Sequence, residues 1–338
     1  MTKEIEVTTN SRIYIGRADE LLQQLLPAGR VIVISDSNLD RTHHELIAPF
    51  DHILIGQGEQ AKSLATLDEI YRKLIEMGAD RTSFILGIGG GIVTDVAGFV
   101  ASTYMRGIKF GFVTTTLLGA VDASVGGKNG VNVGGFKNMV GTFSQPQFVV
   151  CDASLLATLP SREFRAGLAE VIKTAILGDA ELFALLERTS FEALRKDAAL
   201  LEEVITRCMK VKASVVAEDE REGGRRRILN LGHTIAHAIE KSSNKLNHGE
   251  AVAVGLYHIT RSALAQGLIS ECDAGRISAL IEQYGFVTES PAERKQLLKA
   301  IEGDKKRSGD SLHLIYPTAI GKVEDRTVQY KELSTILL

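Results

Sequence analysis

The chain has 338 residues and a formal charge of −3, from 39 Lys plus Arg against 42 Asp plus Glu. Apolar residues at 44% and charged residues at 24% are the balance of a soluble globular protein, long enough for two domains or one large one. The charge gives no reason to expect a nucleic-acid partner, no apolar run reaches the roughly 18–20 residues of a membrane span, and the N-terminus has no signal-peptide core.

Cys151, Cys208 and Cys272 are scattered, with no Cys-x-x-Cys pair, which predicts a reducing cytoplasm and argues against a disulfide scaffold or a Cys-built zinc site. In chain order, the β-branched run Arg30 to Ser35 predicts a buried strand, as does Ile53 to Ile55. Ser63 to Met77 carries Leu64, Leu67, Ile70, Leu74 and Ile75 at helical spacing and stops before Gly78. A strand over Ser83 to Ile88, a helix over Ile92 to Ser102, and strands over Phe110 to Thr114 and Phe148 to Val150 complete the first half. This alternation predicts an α/β fold, a Rossmann-like doubly wound sheet. After Pro160 the helical period dominates: Arg162 to Leu177, Ala180 to Glu187, Leu200 to Val216, Ile228 to Lys241, Glu250 to Gln266 and Ala274 to Tyr284. Leu312 to Tyr316 and Lys322 to Asp325 form a hairpin around Thr318 to Gly321. The expected domains are therefore 1–158, α/β, and 159–338, mainly α-helical, packed around a cleft.

Three features carry chemistry. Gly87, Gly89, Gly90 and Gly91 form a strand–turn–helix junction of the kind that holds a pyrophosphate at a helix N-terminus, although the third glycine of Gly-x-Gly-x-x-Gly is missing. Asp36 and Asn38 follow the first predicted strand, where they serve a ribose hydroxyl or equally form a turn. In Asn230-Leu-Gly-His233-Thr-Ile-Ala-His237-Ala-Ile-Glu240, the two histidines lie four apart on one helix face. His248 opens the next helix, and Glu170 and Lys173 share one face of an apolar helix. Glu plus two His is a catalytic zinc set with one open position; the alternative is a structural polar cluster. Third, Arg106, Lys128, Lys137, Lys173, Lys212, Arg225, Arg226, Arg227, Lys305 and Lys306 lie in or beside glycine loops or helix starts, where they suit an anionic ligand.

Together these motifs resemble the 3-dehydroquinate synthase family. The residues that carry the resemblance are Gly89-Gly-Gly-Ile-Val-Thr-Asp95, Tyr104-Met-Arg-Gly107, Val121-Asp-Ala-Ser-Val-Gly-Gly-Lys128, Lys137-Asn138, Leu159-Pro-Ser-Arg-Glu-Phe164, Ala169-Glu-Val-Ile-Lys173, Asn230-Leu-Gly-His233, His248-Gly-Glu250 and Asp304-Lys-Lys306. The resemblance implies a homodimeric NAD- and zinc-dependent enzyme (cobalt as a substitute) acting on a small phosphorylated sugar acid, 3-deoxy-D-arabino-heptulosonate 7-phosphate. The matched zinc ligands are Glu170, His233 and His248. Matched substrate contacts are Asp122, Lys128, Asn138, Lys173, Lys212, Arg226, Asn230 and His237, one of Lys305 and Lys306, and Arg106 from the other subunit. Matched NAD contacts are Asp36, Asn38, Glu59, Lys62, Gly90, Gly91, Asp95, Thr115, Thr116, Lys128, Lys137 and Thr158. Glu222 matches a position near the site. Asn132-Val-Gly-Gly-Phe136 departs from the family's commoner Pro-Leu-Gly, and Gly223-Gly224 loosens the loop before the arginines. Related alternatives are 2-deoxy-scyllo-inosose and valiolone-type cyclases or a metal-dependent polyol dehydrogenase.

Overall fold

The computed structural model describes residues 2–302 and 310–336, so Lys305 and Lys306 lie outside the described residues. The chain divides into two compact units, one of residues 1–160 and 198–221, the other of 161–197 and 222–338.

In the first unit the strands are β1 (Lys3–Thr8), β2 (Ser11–Ile15), β3 (Val31–Asp36), β4 (Asp51–Ile55), β5 (Phe84–Gly89), β6 (Lys109–Thr114), β7 (Lys128–Val133), β8 (Phe136–Phe143) and β9 (Phe148–Cys151). Seven of them form one sheet in the order β1-β2-β9-β6-β5-β3-β4. It is parallel except for β1, which pairs antiparallel with β2. Every residue of β5 is buried, as expected of a central parallel strand covered on both faces. The chain runs outward from β3 to β4 and then returns to the other side of β3 as β5. That reversal is a topological switch point, and ligands of doubly wound sheets bind beyond the carboxyl ends of the strands there. Asp36 ends β3 and Gly89 ends β5.

Three features differ from the sequence expectation. β1 and β2 precede the first predicted strand. Second, the glycine-rich stretch contains a separate antiparallel ribbon, β7–β8, which the sequence reading lacks: Lys128 and Lys137 lie on its strands, beside the glycine turns Gly126–Gly127 and Gly134–Gly135, and Gly130 and Gly141 stand opposite each other. A Cβ on Gly141 would come 2.5 Å from the Asn129 carbonyl oxygen, so these glycines allow strand backbones to approach rather than turn. Third, the helix Ala198–Glu218 groups with the first unit: it buries Leu201, Val204, Ile205, Cys208 and Met209 and packs on β1 and β2. An amphipathic period shows that a helix needs a partner, not which sheet supplies it.

The second unit is mainly helical, with Ser161–Gly178, Ala180–Glu187, Phe191–Lys196, His233–Ser242, His248–Ala265, Glu271–Gln283 and Arg294–Glu302, plus the hairpin β10 (Ser311–Ala319) and β11 (Lys322–Gln329). Where one helix was expected from Ile228, a 3-10 turn over Arg225–Asn230 precedes it, and Gly232 at φ 77 interrupts the chain before His233. Among the described residues no helix is long and apolar enough to cross a membrane.

Candidate functional site

Glycine contacts in the second unit set the positions of three helices. The Gly249 Cα lies so close to the Ser161–Gly178 helix that a Cβ there would sit 2.1 Å from the Ala166 carbonyl oxygen. A Cβ on Gly255 would sit 2.1 Å from the carbonyl oxygen of Gly232, the residue that caps the His233–Ser242 helix. Only residues without side chains permit these approaches, and each lies within one or two turns of a polar residue aimed at a common point. Glu170 comes from the Ser161–Gly178 helix, His233 from the first position of its own helix, and His248 from a start fixed by the Asn247–Glu250 capping box.

The carboxylate of Glu170 is fully buried. Its Oε1 lies 3.6 Å from His233 Nε2 and 3.3 Å from His248 Nε2, and one ligand atom from each residue falls within 4.8 Å of the others. Ligands at the metal–ligand distances of about 2.0–2.1 Å of a tetrahedral zinc site are separated by about 3.3–3.4 Å, so the set fits such an ion. Two neutral imidazoles and one carboxylate are also the donor chemistry of zinc or cobalt rather than magnesium or calcium. The second nitrogens are held: His233 Nδ1 is 3.2 Å from the Leu231 carbonyl oxygen, and His248 Nδ1 is 3.5 Å from Glu240 Oε1. Such outer contacts orient metal-ligating imidazoles. Glu240 ends the histidine motif of the sequence reading but has no role there; its place three residues after His237 on the same helix is the available signal.

Burial and then the Lys173 charge push His233 down to about 3, which keeps its nitrogen lone pair available at neutral pH. Burial also opposes charge on His248, but the carboxylates of Glu170 and Glu240 outweigh it and raise this imidazole to about 10. A cation at Glu170 competes for the place of that proton. The Lys173 ammonium, itself buried, is 2.5 Å from Glu170 Oε2 and compensates the carboxylate. His237 stands edge-on to His233 with ring centroids 5.4 Å apart. Beside these groups, a cavity of about 510 Å³ is lined by Asn230, His233, His237, Lys241, His313 and Tyr330, among others. Asn230 donates to Glu222 Oε1 at 2.7 Å, and Arg226 is buried in the 3-10 turn.

In the first unit, Gly90 precedes and Gly91 begins the helix Gly91–Thr103 at the switch point, and the Thr115 N–H donates to the Gly89 carbonyl at 3.1 Å. Thr116 Oγ1 accepts from the Gly119 N–H at 3.0 Å. Asp36 Oδ1 caps the following short helix at the Asn38 and Leu39 N–H groups, so the turn-forming alternative is realised for that oxygen. Asn38 receives a hydrogen bond from Arg41. Thr158 Oγ1 meets His43 Nε2 at 2.9 Å, and Glu59 accepts from Asn132 at 2.7 Å. The buried ammonium of Lys62 pairs with Asp95, whose carboxyl burial pushes up against the opposing pull of Lys62. Lys212 pairs with both the carboxylate and the backbone carbonyl of Asp122. Lys128, Lys137 and Asn138 are exposed on the ribbon, Asn138 at φ 53 with its N–H donating to Asn132 Oδ1 at 2.9 Å. Arg106 is exposed at φ 70, directly after Met105 at φ 48.

Residues 52–166 match the family model described as 3-dehydroquinate synthase N-terminal, and residues 167–307 match 3-dehydroquinate synthase C-terminal. The 3-dehydroquinate synthase of Pelobacter propionicus is 44% identical over 305 residues, covering 87% of this chain and 85% of that protein. A 2-deoxy-scyllo-inosose synthase structure, complexed with carbaglucose-6-phosphate, NAD+ and Co2+, superposes with a TM-score of 0.88 at 28% identity over 99% of both chains. The 2-epi-5-epi-valiolone synthase from Streptomyces hygroscopicus subsp. jinggangensis, with NAD+ and Zn2+ bound, gives a TM-score of 0.87 at 28% identity over 99% of this chain and 96% of that one.

Proposed function

The chain belongs to the 3-dehydroquinate synthase family, and on that premise we propose that it converts 3-deoxy-D-arabino-heptulosonate 7-phosphate into 3-dehydroquinate and phosphate, using NAD and zinc, with cobalt as a substitute. The reaction proceeds by transient oxidation at C5, phosphate elimination, reduction and intramolecular aldol closure, so the dinucleotide is unchanged over a turnover. The observation that carries the reading is the Glu170–His233–His248 set, with donor atoms at metal-site spacing.

When bound, NAD takes and returns the C5 hydride and the cation acidifies the C5 hydroxyl. The rest falls to this chain's side chains. Glu170, His233 and His248 hold the cation, and Lys173 offsets the buried carboxylate and faces the same centre. Arg226, Asn230, His237, one of Lys305 and Lys306, Asp122, Lys128, Asn138 and Lys212 form the substrate-binding set. Fixed, charge-bearing contacts of this kind supply the orientation of a flexible polyanion. Asp36, Asn38, Glu59, Lys62, Gly90, Gly91, Asp95, Thr115, Thr116, Lys128, Lys137 and Thr158 form the NAD set, supported by the place of Asp36, Asn38, Gly90 and Gly91 at the switch point.

The chain acts as a cytoplasmic homodimer in which Arg106 reaches the partner's site. Its exposure supports this, as does the apolar β8 surface of Phe136, Met139, Val140 and Phe143. Inactive Arg106→Ala and Lys128→Ala chains then restore activity when mixed; no recovery overturns the crossed contribution. The main test is to incubate the purified protein with the heptulosonate phosphate, NAD and zinc and to follow phosphate and dehydroquinate. Absence of both under metal-replete conditions overturns the proposed function.

A further inference from the structure

Arg225, Arg226 and Arg227 are adjacent in sequence but have different surroundings: Arg226 is buried, whereas Arg227 is half-exposed and tied to two places at once. Its Nη2 donates to the Gly223 carbonyl oxygen at 2.6 Å. Its Nη1 lies 3.3 Å from His313 Nε2 and 3.9 Å from Asp325 Oδ2. His313 Nδ1 in turn meets Asp325 Oδ1 at 2.8 Å.

Because a guanidinium only donates, His313 Nε2 accepts, and the imidazole proton sits on Nδ1, donated to Asp325. His313 is in register with Thr327 and Asp325 with Ile315, so the two are diagonal neighbours across the β10–β11 ladder, where side chains of opposite strands meet. The result is one chain of contacts, from the Asp325 carboxylate through His313 and Arg227 to the Gly223 carbonyl. It fastens a loop to a hairpin that is already rigid by its own ladder.

The restraint acts on a loop of unusual backbone. Glu222 stands at φ 60, a left-handed backbone that a non-glycine residue adopts at a cost, and Gly223 and Gly224 add no side chain to hold the path. The same loop delivers the buried Arg226 and Asn230, and Asn230 and His313 line one cavity with His233 and His237.

We propose that Arg227, anchored by His313 and Asp325, is a positioning residue that fixes the 222–230 loop and thereby places Arg226 and Asn230 for the anionic substrate. The inference rests on the substrate assignment of those two residues given above. It predicts that Arg227 acts on substrate affinity rather than on the chemical step or on metal binding.

The test uses the full-length, zinc-loaded protein with Arg227→Met, Arg227→Lys, Asp325→Asn and the Arg227→Met/Asp325→Asn pair. Hydrogen exchange of the 222–230 amides is measured without substrate, together with KM, kcat and metal content. Loss of the charge-assisted contacts in Arg227→Met is expected to speed exchange of the loop and raise KM, each by about tenfold, with kcat within about twofold and zinc unchanged. Arg227→Lys, whose single ammonium cannot serve Gly223 and Asp325 together, falls between parent and Arg227→Met. The double variant is expected to be no worse than Arg227→Met alone, since both changes break the same chain. Parental loop exchange and KM in both Arg227→Met and Asp325→Asn overturn the proposal. So does a lowered melting temperature with unchanged loop exchange, which assigns the cluster to hairpin stability alone. If Arg227→Met does not fold, Asp325→Asn carries the same measurements. If the parent itself turns over no substrate, the proposed function fails, while loop exchange in the variants still decides whether Arg227 positions the loop.

Discussion

Replacing Glu170 by Gln keeps the shape of a fully buried side chain and removes its charge, which separates the two tasks assigned to it. The carboxylate Oε2 is 2.5 Å from the Lys173 ammonium, and both residues are buried. In metal-stripped protein, Gln leaves that ammonium without its counter-ion, and breaking a buried pair from one side costs about 3–5 kcal/mol. In a unit of roughly 150 residues each kcal/mol moves the melting temperature by about 2–4 °C, so the transition of the second unit is expected to fall by ~10 °C. Zinc at about 100 times its dissociation constant stabilises the parent by about 2.7 kcal/mol more, and this increment disappears in Glu170→Gln because one of three donors has lost its charge. Calorimetry in chelator and in zinc, with elemental analysis of the dialysed protein, measures both effects. Glu170→Gln/Lys173→Met, with both charges of that pair removed, is expected to regain most of the chelator-state stability and none of the zinc binding. A parental melting temperature for Glu170→Gln in chelator, or stoichiometric zinc retained by it, refutes the reasoning.

The remaining expectations follow from particular contacts. Gly255→Ala drives a methyl onto the Gly232 carbonyl oxygen directly ahead of His233; overpacking of this kind costs about 1–3 kcal/mol, and zinc affinity measured by chelator competition is expected to fall with stability. Unchanged affinity would show that the close approach of the two helices does not set the His233 position. Glu187 is held below the usual carboxylate range, first by its hydrogen bonds from Arg276 at 2.7 and 2.8 Å, with burial opposing. A lowered folded-state value contributes stability that is present above the unfolded value of about 4.3 and is lost as pH falls through the folded one. Arg276→Met is therefore expected to be less stable than the parent at pH 6–7 and to converge with it under acid; a constant difference across that range counts against the pairing. Lys62→Met leaves the Asp95 carboxyl buried without its ammonium, and nicotinamide-dinucleotide affinity in a fluorescence titration is expected to weaken by about tenfold, the scale of one charged contact. Parental affinity would remove Lys62 and Asp95 from the dinucleotide set.

The sequence by itself determined the class of the fold and the donor chemistry of the candidate metal site. Runs such as Val31 to Ser35 and Phe84 to Ile88 are apolar on both faces and bounded by turn residues, which is legible because a central parallel strand has no solvent face. His233 and His237 are legible as a pair because four residues bring side chains to one face of a helix. Tertiary structure decided what depends on approach between distant segments. That Gly232, Gly249 and Gly255 are contact points between helices cannot be read from the residues, since a glycine carries the same signal in a turn, a cap or a helix crossing. The ribbon Lys128–Phe143 has the same cause: Gly134 and Gly135 do form its turn, but Gly130 and Gly141 carry the same signal and are seen as strand residues only once the two strands close against each other. Glu240 behind His248, and Asp325 and His313 behind Arg227, are separated by 8, 98 and 86 positions in the chain. No local period links such pairs, because the chain reversals that bring them together are fixed by packing of whole helices and hairpins.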